Sequence, residues 1–71
     1  MRRTRVDSTA IESVGYDPDT AVLEVEFTSG ELYRYFAVPR SVHRELLEAE
    51  SPGHYFGEHV RDVYPTEHIP R

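Results

Sequence analysis

The sequence predicts an α+β domain: a three-stranded antiparallel meander followed by two helices packed on one face of the sheet, in the order βββαα. Three observations carry that expectation. Residues 21–28, AVLEVEFT, alternate cleanly, with Leu23, Val25 and Phe27 on one side and Glu24 and Glu26 on the other, which is the period of a strand. Two turn signals, Asp17-Pro18-Asp19-Thr20 and Ser29-Gly30, separate this segment from strand-like neighbours on either side. Beyond Val38 the apolar period lengthens from two residues to that of a helix.

The first strand is expected over residues 11–16, IESVGY, with Val14 and Tyr16 on one face and Ile11, Ser13 and Gly15 on the other. The third, residues 31–38, ELYRYFAV, is rich in aromatics, which suit a pleated, half-buried surface. Short turns between consecutive strands imply antiparallel pairing. Pro39 fits the first turn of a helix, and Val42, Leu46 and Ala49 follow at i, i+4 and i+7, opposite Arg40, Arg44 and Glu48. Ser51-Pro52 reads as an N-cap followed by proline at N1 of a second helix, whose apolar positions are Phe56, Val60 and Val63. Gly53 and Gly57 weaken that helix by up to ~1 kcal/mol each relative to alanine. Tyr64-Pro65 ends it. Residues 1–71 form a single domain, with residues 1–8 and 65–71 expected as loose tails.

The turn after Phe27 decides which way the aromatic strand faces. A two-residue Ser29-Gly30 loop would place Leu32, Arg34 and Phe36 beside Leu23, Val25 and Phe27. A three-residue Thr28-Ser29-Gly30 loop, with Gly30 in the left-handed region, shifts the parity and puts Tyr33 and Tyr35 there instead. The second register is favoured. The first buries Arg34 without a partner, at a cost of about several kcal/mol, whereas the second sets Arg34 beside Glu24 and Glu26 for a gain of ~0.2–1 kcal/mol. It also leaves Leu32 and Phe36 on the charged face.

A chain of 71 residues with no cysteine has a small core and no disulfide, thiolate-zinc or thiol-redox chemistry. The net charge is −5, and all eight basic residues are arginines. Residues 6–33 hold seven acids and no base, while Arg2, Arg3 and Arg5 precede them. A sequence pI of about 5.2 weighs against nucleic acid as a partner for the whole surface, though not against a local arginine cluster. No apolar run reaches the ~18–20 residues of a membrane span, and MRRTRVDSTA lacks the apolar core of a signal peptide, so the expected location is cytoplasmic.

No catalytic, metal or cofactor site is expected. His54 and His59 stand five apart, about 140° round a helix, rather than at the i, i+4 spacing that shares a metal. No Ser lies in a nucleophile-elbow context, the glycines are isolated, and Glu24 with Glu26 reads as a solvated strand face with Arg34 nearby. The candidate binding residues are Tyr33, Arg34, Tyr35 and Phe36 of the aromatic strand, extended by Arg40 and Arg44 on the first helix. The expected function is that of a small non-enzymatic interaction module contacting another protein or a second copy of itself, motivated by the modest core and by Leu32 and Phe36 on a charged face. The alternative is RNA or single-stranded nucleic-acid binding, in which aromatics stack bases and Arg34, Arg40, Arg44 and the Arg2/Arg3/Arg5 arm meet phosphates.

An ordered set of short motifs resembles the KTSC domain, a module named after the C-terminus of some lysyl-tRNA synthetases and also found free-standing in bacteria. The set is Val14-Gly15-Tyr16-Asp17, Leu23-x-Val25-x-Phe27, Gly30, Tyr33-x-Tyr35, Val38-Pro39 and Ser51-x-Gly53-x-Tyr55-Phe56 with Val60, across about residues 8–64. Gly57 departs from it, standing where similar sequences often carry Asn. The resemblance implies a compact stand-alone cytosolic domain with Tyr33 and Tyr35 as its central pair. It implies no activity; RNA binding has been suggested for the family through its attachment to a tRNA-charging enzyme.

Overall fold

The computed structural model describes residues 2–71. Its elements are β1 (Arg3–Arg5), β2 (Ile11–Asp17), β3 (Val22–Phe27), β4 (Leu32–Tyr35), α1 (Arg40–Glu48), α2 (Pro52–His59) and β5 (Thr66–Ile69). The domain is α+β, as expected, but the sheet has five strands rather than three, in the order β1-β2-β3-β4-β5 with every pair antiparallel.

The two added strands correct the expectation of loose tails at residues 1–8 and 65–71. Arg3 pairs with Gly15 and Arg5 with Ser13, and side chains hold the edge as well: Arg3 bridges to Glu24, and Arg5 Nη2 lies 2.6 Å from Glu12. At the other edge Leu32 pairs with Ile69 and Tyr33 with His68. Both strands are short and mostly exposed, so neither shows the alternation that marks a strand in sequence.

The hairpin after β3 has the three-residue register. Phe27 N–H donates to the Glu31 carbonyl (2.9 Å), Gly30 N–H donates to the Phe27 carbonyl (2.9 Å), and Gly30 has φ +96°. Leu23 then faces Tyr35, Glu24 faces Arg34 and Val25 faces Tyr33. In the hairpin before it, Asp17 Oδ1 accepts from Asp19 N–H (3.0 Å). The left-handed residue there is Ala21, at φ 60°.

β2 differs from its expected pattern. The register shifts between Ile11 and Ser13, so Ile11 faces Phe27 while Val14 faces Val25. This bulge turns Ile11 onto the core side with Val14, where both are fully buried.

Ser51 caps α2, its Oγ accepting from His54 N–H (3.3 Å), with Pro52 following. The helix stops at His59, because Val60 and Arg61 N–H both return to the Phe56 carbonyl and Asp62 takes φ 63°. Val63, expected on the buried stripe, is therefore exposed. Both helices cover one face. Leu46 of α1 and Phe56 of α2, with Val60 just beyond, complete a core of Ile11, Val14, Leu23, Val25, Tyr35 and Val38. The Phe56 ring meets Phe27 and Tyr35 edge-on, at 5.4 and 5.3 Å between centroids.

The other face of the sheet is polar. Across it run two rows, Arg3–Gly15–Glu24–Arg34–Glu67 and Arg5–Ser13–Glu26–Leu32–Ile69. Leu32 is not stranded there as its parity suggested: it is buried beside Ile69 of the unforeseen fifth strand. Phe36 is half-buried, and its N–H donates to the Pro65 carbonyl (2.9 Å).

Candidate binding site

Five of the six candidate residues lie in three places, and the sixth, Phe36, is half-buried just past β4 and lines neither cleft described below. Tyr33 and Tyr35 are on the helix-covered side, where the register puts them. They line a cleft of about 350 Å³ with Phe27, Phe56, Arg61, Asp62 and Thr66. The cleft opens between the turn leaving α2 and strands β4 and β5. Its floor is aromatic. Tyr33 meets Phe27 edge-on at 5.7 Å, Tyr35 meets Phe56, and the Arg61 guanidinium stands 5.7 Å from the Phe56 ring centroid, at the outer limit of a cation–π contact.

Burial pushes the Tyr35 phenol up to about 12, the nearby Arg61 charge acting in the opposite direction. Among the described residues neither the Tyr33 nor the Tyr35 hydroxyl bonds to another protein group, yet no buried side-chain oxygen or nitrogen lacks a partner. The two hydroxyls are thus open to the cleft, each able to donate and accept. Arg61 and Asp62 at the rim add one charge of each sign.

Arg34 points to the opposite face and is committed there. Its Nε lies 2.8 Å from Glu24 Oε2, and Arg3 holds the other oxygen of the same carboxylate. The hydrogen bond to Glu24 raises the Arg34 guanidinium above its ordinary value. Glu24 is 8% exposed, and its neighbour Glu26 accepts from Ser13 Oγ (2.9 Å) and Arg71 Nη1 (3.0 Å), which lowers the Glu26 carboxyl, Arg71 contributing most. The paired carboxylates read from sequence are thus parts of an ion-pair lattice across the outer face.

Arg40 and Arg44 are exposed on α1, one turn apart. Arg40 lines a second cleft, of about 400 Å³, with Arg2, Thr4, Tyr16, Pro18 and His43. There the Tyr16 and His43 rings stack at 4.9 Å with an interplanar angle of 13°. Burial lowers His43 below the ordinary imidazole value. The other histidines are dispersed: His54 bridges to Glu58, His68 Nε2 lies 2.5 Å from Glu31, and His59 packs on Tyr55. Arg61 was absent from the expected set, since only the end of α2 at His59 swings it toward β4. The convergence of Arg2, Tyr16, Arg40 and His43 is tertiary and leaves no spacing signal.

These features define a sheet-and-helix-pair domain with the Tyr33–Tyr35 and Tyr16–His43 clefts on its helical side and a charged lattice on its back. The chain belongs to the KTSC domain family, whose profile matches residues 7–64. It is similar to an uncharacterised protein of Stutzerimonas stutzeri, 52% identical over 96% of this chain and 90% of that one. It is similar to the lysine–tRNA ligase of a Nostoc species, 39% identical over 83% of this chain but only 10% of the ligase. The crystal structure of a KTSC domain protein from Yersinia pestis superposes with a TM-score of 0.94, at 33% identity and 97% coverage of both chains.

Proposed function

We propose that this domain is a small non-enzymatic binding module, working in the cytoplasm, that receives a segment of another protein in the Tyr33–Tyr35 cleft. The observation that carries the reading is the convergence of two unengaged phenol hydroxyls, two phenylalanine rings and the Arg61/Asp62 pair on one concave surface. Aromatic residues and arginine supply most of the energy at protein contacts, and a mixed donor–acceptor rim suits a peptide backbone. The edge strand β5, which contributes Thr66 to the cleft, offers an extended segment its unpaired backbone. Leu32 adds nothing to this reading, because Ile69 covers it on the charged face.

The test is a selection of displayed random peptides against the immobilised domain. The reading expects enriched peptides whose binding falls about tenfold or more with Arg61→Glu, the loss of a charge-assisted contact plus repulsion. Absence of enrichment, or binding indifferent to Arg61→Glu and Tyr33→Ala alike, contradicts it.

RNA binding is the second reading. It is supported by Arg40 and Arg44, which form no ion pair among the described residues, and by the occurrence of similar sequence within lysine–tRNA ligases. It expects labelled tRNA to raise fluorescence anisotropy at low salt, and Arg40→Ala with Arg44→Ala to weaken that binding and flatten its salt dependence. An unchanged anisotropy removes it.

A further inference from the structure

We propose that the cleft between the start of β1, the β2–β3 turn and the start of α1 is a site for a nucleotide monophosphate group, with the base laid along the Tyr16–His43 stack and the phosphate held between Arg2 and Arg40. It lies on different residues from the Tyr33–Tyr35 cleft and does not depend on the peptide reading.

The arginines give the first argument. Arg3, Arg5, Arg34 and Arg71 each bridge to a carboxylate within the fold. Arg2, Arg40, Arg44 and Arg61 form no ion pair among the described residues, and of these four Arg2 and Arg40 line this cleft together. In a chain of net charge −5, two guanidiniums without acids at one concavity are set apart from the rest. Guanidinium forks match phosphate oxygens geometrically.

The helix beside them gives the second. α1 begins at Arg40 with Pro39 in the N-cap position, no side chain caps its free N–H groups, and its first turn holds no acid. Its positive end is therefore uncompensated on the side where Arg40 stands.

The third is the aromatic wall. Tyr16 is fixed because its hydroxyl donates to the Val38 carbonyl (2.5 Å), which leaves the ring, not the hydroxyl, to meet a ligand. His43 lies against it nearly parallel, and both rings line the cleft. Stacked rings beside two cations are how planar bases attached to phosphates are held, and about 400 Å³ lies within the size range of small-ligand sites. No acid lines the cleft, and of the two that flank Pro18 in the chain, Asp17 spends its carboxylate on the Asp19 N–H within its own turn.

The shared chemistry, a base with an adjacent phosphate, comes either as a free mononucleotide or as the 5′ end of an RNA strand. The experiment is an amide NMR titration of the full chain with adenosine monophosphate, adenosine, inorganic phosphate, and oligoadenylate with or without a 5′-phosphate. Adenosine monophosphate is expected to shift Thr4, Tyr16, Arg40 and His43, with adenosine and phosphate each binding about tenfold or more weaker. Arg40→Ala and Arg2→Ala, both exposed positions, are expected to weaken it by about tenfold, while Arg71→Ala, which removes the same charge from the far side, leaves it unchanged. Oligoadenylate that binds only when 5′-phosphorylated assigns the site to RNA ends, and exclusion of both oligomers assigns it to free nucleotides. No shifts at millimolar adenosine monophosphate, shifts elsewhere on the surface, or equal effects of Arg40→Ala and Arg71→Ala overturn the proposal.

Discussion

Glu24 is the most constrained charge in the molecule. It sits in the middle strand of five, nearly inaccessible, with a guanidinium on each side. Glu24→Gln keeps the shape and removes the charge from two hydrogen-bonded pairs. Because both arginines are partly exposed and can return to water, the expected loss is about 1–2 kcal/mol rather than the full strength of two charged bonds, read from the urea midpoint. A loss near zero would mean that the lattice adds nothing to stability. Gly30 makes the complementary prediction. Nothing stands within 4 Å of an added Cβ, so Gly30→Ala meets no steric neighbour and tests the left-handed backbone alone. The expected cost is ~1–2 kcal/mol in the same measurement, with the fold retained.

At the scale of elements, what could be read from sequence follows the strength of the period. β3 and β4 alternate over several residues, and the cost of burying Arg34 separates two registers that pattern alone leaves open; the pairing of Leu23 with Tyr35 is the outcome. β1 has three residues, all exposed, and β5 has four, of which only Ile69 is apolar and part-buried, so their pairing rests on partners far along the chain. The bulge that turns Ile11 inward inserts a residue without a glycine to mark it. The end of α2 leaves no mark in the spacing, because Val63 continues the apolar period although the backbone has already turned at Asp62. The candidate residues divide the same way. Tyr33 and Tyr35 follow from parity, whereas Arg61, Tyr16 and His43 enter clefts only through tertiary placement. If β5 is a structural strand, Ile69→Ala costs about 1–2 kcal/mol through Leu32 as well as itself, and amide exchange speeds up across residues 66–69 and in Leu32. Unchanged exchange in Leu32 would show that β5 gives it no cover.

For the whole molecule, pH reaches stability through groups on both faces, Tyr35 and Glu26 among them. Burial raises the Tyr35 phenol to about 12 in the fold against 10.0 in the unfolded chain, so its contribution is intact below pH 10 and is lost as pH rises toward 12. Tyr35→Phe should therefore make the alkaline limb of a stability-versus-pH curve shallower, leaving the part that Tyr55 adds, and an alkaline limb identical to that of the parent would show that burial does not hold the Tyr35 phenol neutral. Glu26 works at the acid end. Its carboxyl lies below the ordinary 4.5, so its contribution is present above that value and is lost as pH falls through the folded-state value. The two faces also divide the labour: the outer lattice uses its arginines internally, and the helical side keeps Arg2, Arg40, Arg44 and Arg61 clear of carboxylate bridges among the described residues.

In the proposed reading, parity after Gly30 turns the paired phenols into a receiving surface. Amide and tyrosine-ring NMR shifts of the full domain, followed while a peptide selected on it is added, test that most directly. Saturable shifts confined to Tyr33, Tyr35, Phe56, Arg61 and Thr66 are expected. Shifts centred on Arg34 and Glu67 of the outer face, with the tyrosine rings unmoved, would contradict it.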